Sequence, residues 1–157
     1  MSPAEADAAI SALSPQIDRY AELLVRKGAA LRPGQELVVQ STVECADFAR
    51  RVVKCAYEAR AGHVTVIWND DTVTRLEYEN VALSYFEQTP AWKVAQLNGL
   101  SEKGACFLFL EGSDPMMLQG IDAAKPAAAS RARNRDCKIF RDGMDFGRNV
   151  WCIAGVP

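Results

Sequence analysis

The sequence predicts an α/β fold, a three-layer sandwich with a mainly parallel four-stranded sheet flanked by helices. Three observations carry that prediction. Four short, near-continuous apolar runs occur, "ELVVQ", "HVTVIW", "ACFLFLEG" and "VWCIAGV", of the kind strands show when both faces of their sheet are covered. Stretches with helical periodicity and capping residues separate them. Strands joined through helices pair in parallel by right-handed crossovers, which places helices on the faces of the sheet.

Each element has a local reason. Ser2-Pro3 and Ser14-Pro15 both read as an N-cap followed by proline at the first helical position. The second pair opens "PQIDRYAELLVRKG", with Ile17, Tyr20, Ala21 and Leu24 on one side and Gly28 near the end. Residues 1–14 are expected to be a short extension, and 15–157 an α/β domain. Pro33-Gly34 makes a turn into the first strand, Glu36 to Gln40. Ser41 and Glu44 then form an S-x-x-E capping box for a helix that Gly62 ends.

"HVTVIW" is strand two, and "DDTVTRLEYEN" and "VALSYFEQ" read as helical. Thr89-Pro90 caps a helix running to about Lys103, and Gly104 releases the chain into strand three. "SDPMMLQGIDAAKP" is a loop holding about one helical turn. A long helix is expected from Pro126 to Arg141, then a glycine-containing turn and strand four.

Composition excludes several classes of function. The chain has 157 residues, 49% apolar and 24% charged, with a formal net charge of −2. That is an ordinary globular balance, and it gives no reason to expect nucleic acid or an anionic membrane as a partner. No apolar stretch approaches the roughly 20 residues that cross a bilayer. The start, "MSPAEADAAISAL", has neither the basic nor the apolar region of a secretory signal, so the expected location is cytoplasmic.

The five cysteines include no C-x-x-C pair, which argues against a disulfide framework or a zinc knuckle. Cys45, Phe48, Val52, Cys55 and Ala59 recur at helical steps, so Cys45 and Cys55 read as small buried hydrophobes.

His63 is the single histidine, and it shares the stretch "AGHVTVIWNDD" with Asp70 and Asp71. An extended strand between them separates His63 from Asp70 by roughly 20 Å, so they cannot share a metal. His63 reads as a hydrogen-bonded residue at the start of a strand. Asp70 and Asp71 suit an N-cap and the first turn of a helix. In parallel sheets, ligands sit beyond the carboxyl ends of the strands. Asp70, Ser113 and Asp114 lie at such ends and are the candidates for facing a cleft.

In "EGSDP", Ser113 or Asp114 can cap the turn that follows. Neither G-x-G-x-x-G nor G-x-x-x-x-G-K-[ST] occurs, which argues against a nucleotide site. G-x-S-x-G and H-E-x-x-H are also absent. Arg131, Arg133, Arg135, Lys138, Arg141 and Arg148 are diluted by Asp136, Asp142 and Asp145, and the segment reads as a solvated helix face. By inventory the chain offers no catalytic, cofactor-binding or metal-binding residues of its own.

The order of its motifs resembles a known family. "RYAELLVRKGAALRPGQELVV", "CADFARRVVKCAYEARAGHVTVIWNDDTVTRLEYEN", "TPAWKVAQLNGLSEKGACFLFLEGSDP", "LQGID" and "NVWCIAGVP" are similar to the amino-terminal half of the thermophilic-type metalloaminopeptidases, the aminopeptidase T and aminopeptidase S group. The resemblance runs from about residue 17 to the end, and Cys152 and Gly155 depart from the family's pattern in the last strand.

The resemblance implies a two-domain homodimeric enzyme that removes amino-terminal residues from peptides with two divalent metal ions. Such ions generate the attacking hydroxide and polarise the carbonyl, and a carboxylate moves the proton. The family's ligands (glutamates, histidines, an aspartate and a tyrosine) lie in a carboxyl-terminal half, so none carries over to this chain. It is then expected to be a non-catalytic domain of a metallo-aminopeptidase, forming one wall of the cleft and exposing an apolar patch that self-associates. The alternative is a freestanding α/β module that binds a small ligand or a protein.

Overall fold

A computed structural model describes residues 3–156 of the chain, with side chains from residue 12 onward. Four parallel strands form one sheet: β1 (Glu36–Thr42), β2 (His63–Asn69), β3 (Cys106–Glu111) and β4 (Trp151–Gly155). Their order is β2-β1-β3-β4. Val39 pairs with Val66 on one side and Leu108 on the other, so β1 is central. The expected α/β class and parallel sheet are both present.

Alternation along each strand divides the core in two. Leu37, Val39, Cys106 and Leu108 face α1 (Pro3–Leu23), the turn that follows it, and α2 (Ala46–Glu58), where Ala21, Val25, Phe48 and Val52 meet them. Val38 and Phe107 point the other way, against α4 (Ala91–Glu102) and α6 (Lys138–Asp145) through Leu97, Leu100 and Phe140. The chain thus leaves β1 toward one face and β3 toward the other, which makes the gap between β1 and β3 the switch point of the sheet.

Several expected boundaries move, each for a tertiary reason. Helix α1 runs unbroken from Pro3 through Pro15, rather than starting at Pro15. The guanidinium of Arg51 donates to the Ser14 hydroxyl at 2.9 Å and to Asp18, tying this stretch to α2. Ser2, the expected cap of a separate first helix, lies outside the described residues. A π-helical turn, Leu24–Gly28, ends the helix, and an added Cβ on Gly28 would come within 2.9 Å of the Cys152 sulfur. Cys152 therefore sits against a residue with no side chain.

Strand β1 continues two residues past Gln40, because Ser41 and Thr42 are paired with Trp68 and Asn69 of β2. Ser41 is buried, and its hydroxyl donates to the Thr42 carbonyl, so the capping box with Glu44 does not form. A 3-10 turn, Val43–Cys45, leads into α2 instead. At the far end of α2, Arg60 takes the left-handed conformation expected of Gly62 (φ +64°). Gly62 instead permits a close approach of two loops, since a Cβ there would lie 2.3 Å from the Gly34 carbonyl oxygen.

Helix α3 (Asp71–Asn80) follows β2 and has no buried residue. Leu83–Glu87 form a 3-10 turn in place of the expected helix. The single long helix expected over 126–141 is two, α5 (Ala124–Asp136) and α6, bent at buried Cys137. Asp136 accepts from the Thr89 amide at 2.9 Å, and Asn98 accepts from the Phe140 amide at 3.1 Å. These bonds fix both sides of the bend to α4 and its lead-in. No helix of the described residues is long and apolar enough to cross a membrane.

Candidate functional site

The switch point comes first, since parallel sheets bind ligands there. It is closed by the chain's own atoms. Cys45 occupies the space beside Gly112, so closely that a Cβ on Gly112 would be 2.2 Å from its sulfur. The Thr42 hydroxyl donates to that sulfur at 3.3 Å. A phosphate cradle needs several free amides aimed at one point, and the glycine here serves close packing instead.

The strand-end acids are drawn together, but on backbone amides. Asp70 caps α3 by accepting from the Val73 amide at 3.0 Å. Asp71 accepts from the Asp114 amide at 2.8 Å, and Asp114 from the Met116 amide at 2.8 Å. Arg75 donates to the Met117 and Gln119 carbonyls, and Lys125 to that of Tyr78. Together these bonds hold α3, which lacks a buried face, against the loop after β3. Ser113 is exposed on that loop.

His63 lies at the opposite end of β2, exposed and without a side-chain hydrogen bond among the described residues, so the expected bond there is absent. Water serves an exposed imidazole equally well. Among the described residues no three His, Cys, Asp or Glu side chains converge in a way that could hold a metal ion. The side chains of the described residues do not fit a metal pair.

A groove of about 720 Å³ opens at the carboxyl end of β2, and it includes Asp70. Helix α3 forms one wall, and α4, α5 and α6 form the other. Phe86 is buried at its base, in contact with Tyr78 (5.0 Å between rings) and Tyr85 (5.4 Å). Trp92 and Lys93 come from the first turn of α4, and Arg133 from α5. Cys137 is at the bend. Burial pushes its thiol pKa up, Arg133 and Lys93 pull it down, and Asp136 adds to the rise.

Of these residues, only Asp70 stands out from the sequence as a site candidate. Arg133 reads there as one of several solvated bases, and Trp92, although inside the family-like stretch "TPAWKVAQ", carries no site signal of its own. Neither carries a local signal, because the groove exists only where α3 and α5 are brought side by side.

Known proteins are similar to this chain in sequence and fold. The family description "Thermophilic metalloprotease (M29)" matches residues 13–157. Aminopeptidase AmpS of Bacillus subtilis (strain 168) is 34% identical over 147 residues, which make up 94% of this chain and 36% of that protein. Aminopeptidase 2 of Geobacillus stearothermophilus is 32% identical over 142 residues, 90% of this chain and 34% of that protein. The solved structure of wild-type AmpT from Thermus thermophilus matches with a TM-score of 0.83 and 28% identity, covering 92% of this chain and 36% of that one. The chain spans about a third of the length of the curated relatives it matches.

Proposed function

The chain belongs to the thermophilic metalloprotease family, and on that premise we propose that it is the amino-terminal α/β part of an aminopeptidase acting on peptides. In this reading residues 15–157 form a domain and residues 1–14 extend it. The domain builds one wall of the substrate cleft with its carboxyl edge, near Asp70, Ser113 and Asp114. The two divalent metal ions are held by residues outside this chain, and the segment by itself does not catalyse. The working protein is a cytoplasmic homodimer.

One observation carries the division of labour. The acids at the carboxyl edge are engaged by the amides of Val73, Asp114 and Met116, and no three ligand-type side chains meet among the described residues. A carboxylate that accepts from a backbone amide is held by local geometry and is poorly placed to act as a mobile base. The domain is thus suited to positioning a substrate.

The test is turnover of an aminoacyl anilide by purified 1–157 supplied with divalent metal salts. No hydrolysis above the metal-only rate is expected. Activity that co-purifies with the chain and survives a second column would overturn the proposal.

A further inference from the structure

The groove beside α3 is electrically polar. Its acids, Asp70 and Glu77, stand on the α3 wall, and Lys93 and Arg133 stand opposite on α4 and α5. Arg135, Lys138 and Arg141 nearby are each paired with an aspartate. Lys93 and Arg133 have no carboxylate partner among the described residues. Arg133 is held in place all the same, its guanidinium 5.8 Å from the centre of the Phe140 ring. Both cations line the same groove, together with Cys137 and Phe140.

Beside them are two rings turned to solvent, Tyr85 at 51% and Trp92 at 69% exposure. Large aromatic rings exposed beside unpaired cations are the composition of a recognition surface. The volume of about 720 Å³ is that of a small-ligand site.

We propose that this groove holds the carboxyl-terminal stretch of a short peptide. The terminal carboxylate meets Lys93 and Arg133, apolar side chains lie on Tyr85 and Trp92, and the amino-terminal direction points toward Asp70 and Glu77. A guanidinium and an ammonium together match a carboxylate through charge-assisted hydrogen bonds. A polyphosphate would want more cations and a cradle of amides, which the groove lacks. The opposed acids also disfavour a purely anionic ligand. The inference rests on the reading of the chain as part of a peptide-cleaving enzyme, because that reading supplies the peptide.

Isothermal titration of 1–157 with leucyl-glycyl-phenylalanine and with its carboxyl-terminal amide tests it. Saturable binding of the free acid at millimolar concentration or tighter is expected, with the amide at least tenfold weaker. Lys93→Gln, at an exposed position, should weaken the free acid several-fold and leave the amide unchanged. Arg133→Gln should do the same. Trp92→Ala should weaken both peptides alike.

Equal affinity for acid and amide, no saturable binding of either, or full discrimination retained by both charge variants would overturn the proposal. Hydrolysis of an anilide by 1–157 would defeat the proposed non-catalytic, positioning role of the chain and leave these titrations standing. A groove indifferent to the carboxylate would do the reverse.

Discussion

Asn149 is buried where α6 meets β3 and β4, and its side-chain nitrogen donates to the carbonyls of Ser101 (3.1 Å) and Ala105 (2.8 Å). Its side-chain oxygen accepts from the Ser101 hydroxyl at 2.7 Å. Gly143 leaves room for this network, since a Cβ there would be 2.1 Å from that oxygen. Asn149→Ala orphans buried groups and is expected to cost about 3 kcal/mol, read from urea unfolding. Cys106 gives a pH signature. Burial pushes its thiol pKa up to about 11, from an ordinary 9.0. A raised pKa in the fold favours the protonated form, so its contribution is complete below about pH 9.0 and is lost as pH rises through about 11. Thermal melts of Cys106→Ala should fall less steeply over that interval than those of the parent. At this scale, local roles were legible and distant ones were not. Asp70 as a cap could be read because its partner is three residues away, whereas the partners of Asn149 are 44 to 48 residues away.

The elements divide along a similar line. All four strands could be read, because an apolar run buried on both faces needs no knowledge of its neighbours. Their ends could not. Ser41 carries a capping-box signature, yet the ladder of a central strand satisfies more backbone groups than the cap would, and the strand wins. The bend at Cys137 follows from bonds to Thr89 and Asn98, which no window along 126–141 contains. Pro15 inside α1 is the clearest conflict between local preference and observed element. Its ring removes one helical hydrogen bond and crowds the preceding turn. Pro15→Ala is therefore expected to raise helical content and stabilise the chain by about 1–3 kcal/mol, measured by circular dichroism and melting. No change in either would place the working start of the helix at Pro15 after all.

For the whole molecule, the edges of the sheet matter most. The bonds Phe107 N–H to Val150 O and Val156 N–H to Glu111 O fix the alternation along β4. They leave the backbone groups of Trp151 and Ile153 facing outward. The Tyr20 hydroxyl covers only the Gly155 carbonyl, at 3.1 Å. Trp151 and Ile153 are 45% and 57% exposed, so the edge joins hydrogen-bonding groups unpaired among the described residues to apolar surface. Such an edge templates pairing. Light scattering after size exclusion should show 1–157 associating as concentration rises, and Ile153→Lys should shift it toward monomer. A parent chain that stays monomeric at high concentration would contradict this.

The sequence alone determined the class of the fold, the four strands, the cap that Asp70 places on α3, and the motif order that marks the family. All of these depend on contacts between near neighbours or on residue type. The tertiary structure decided the strand order, which face each helix covers and where the elements end. It also closed the switch point with Cys45 and opened a bipolar groove between helices far apart in the chain. Those features depend on which distant groups satisfy one another's hydrogen bonds and fill one another's space, and no local pattern encodes that choice.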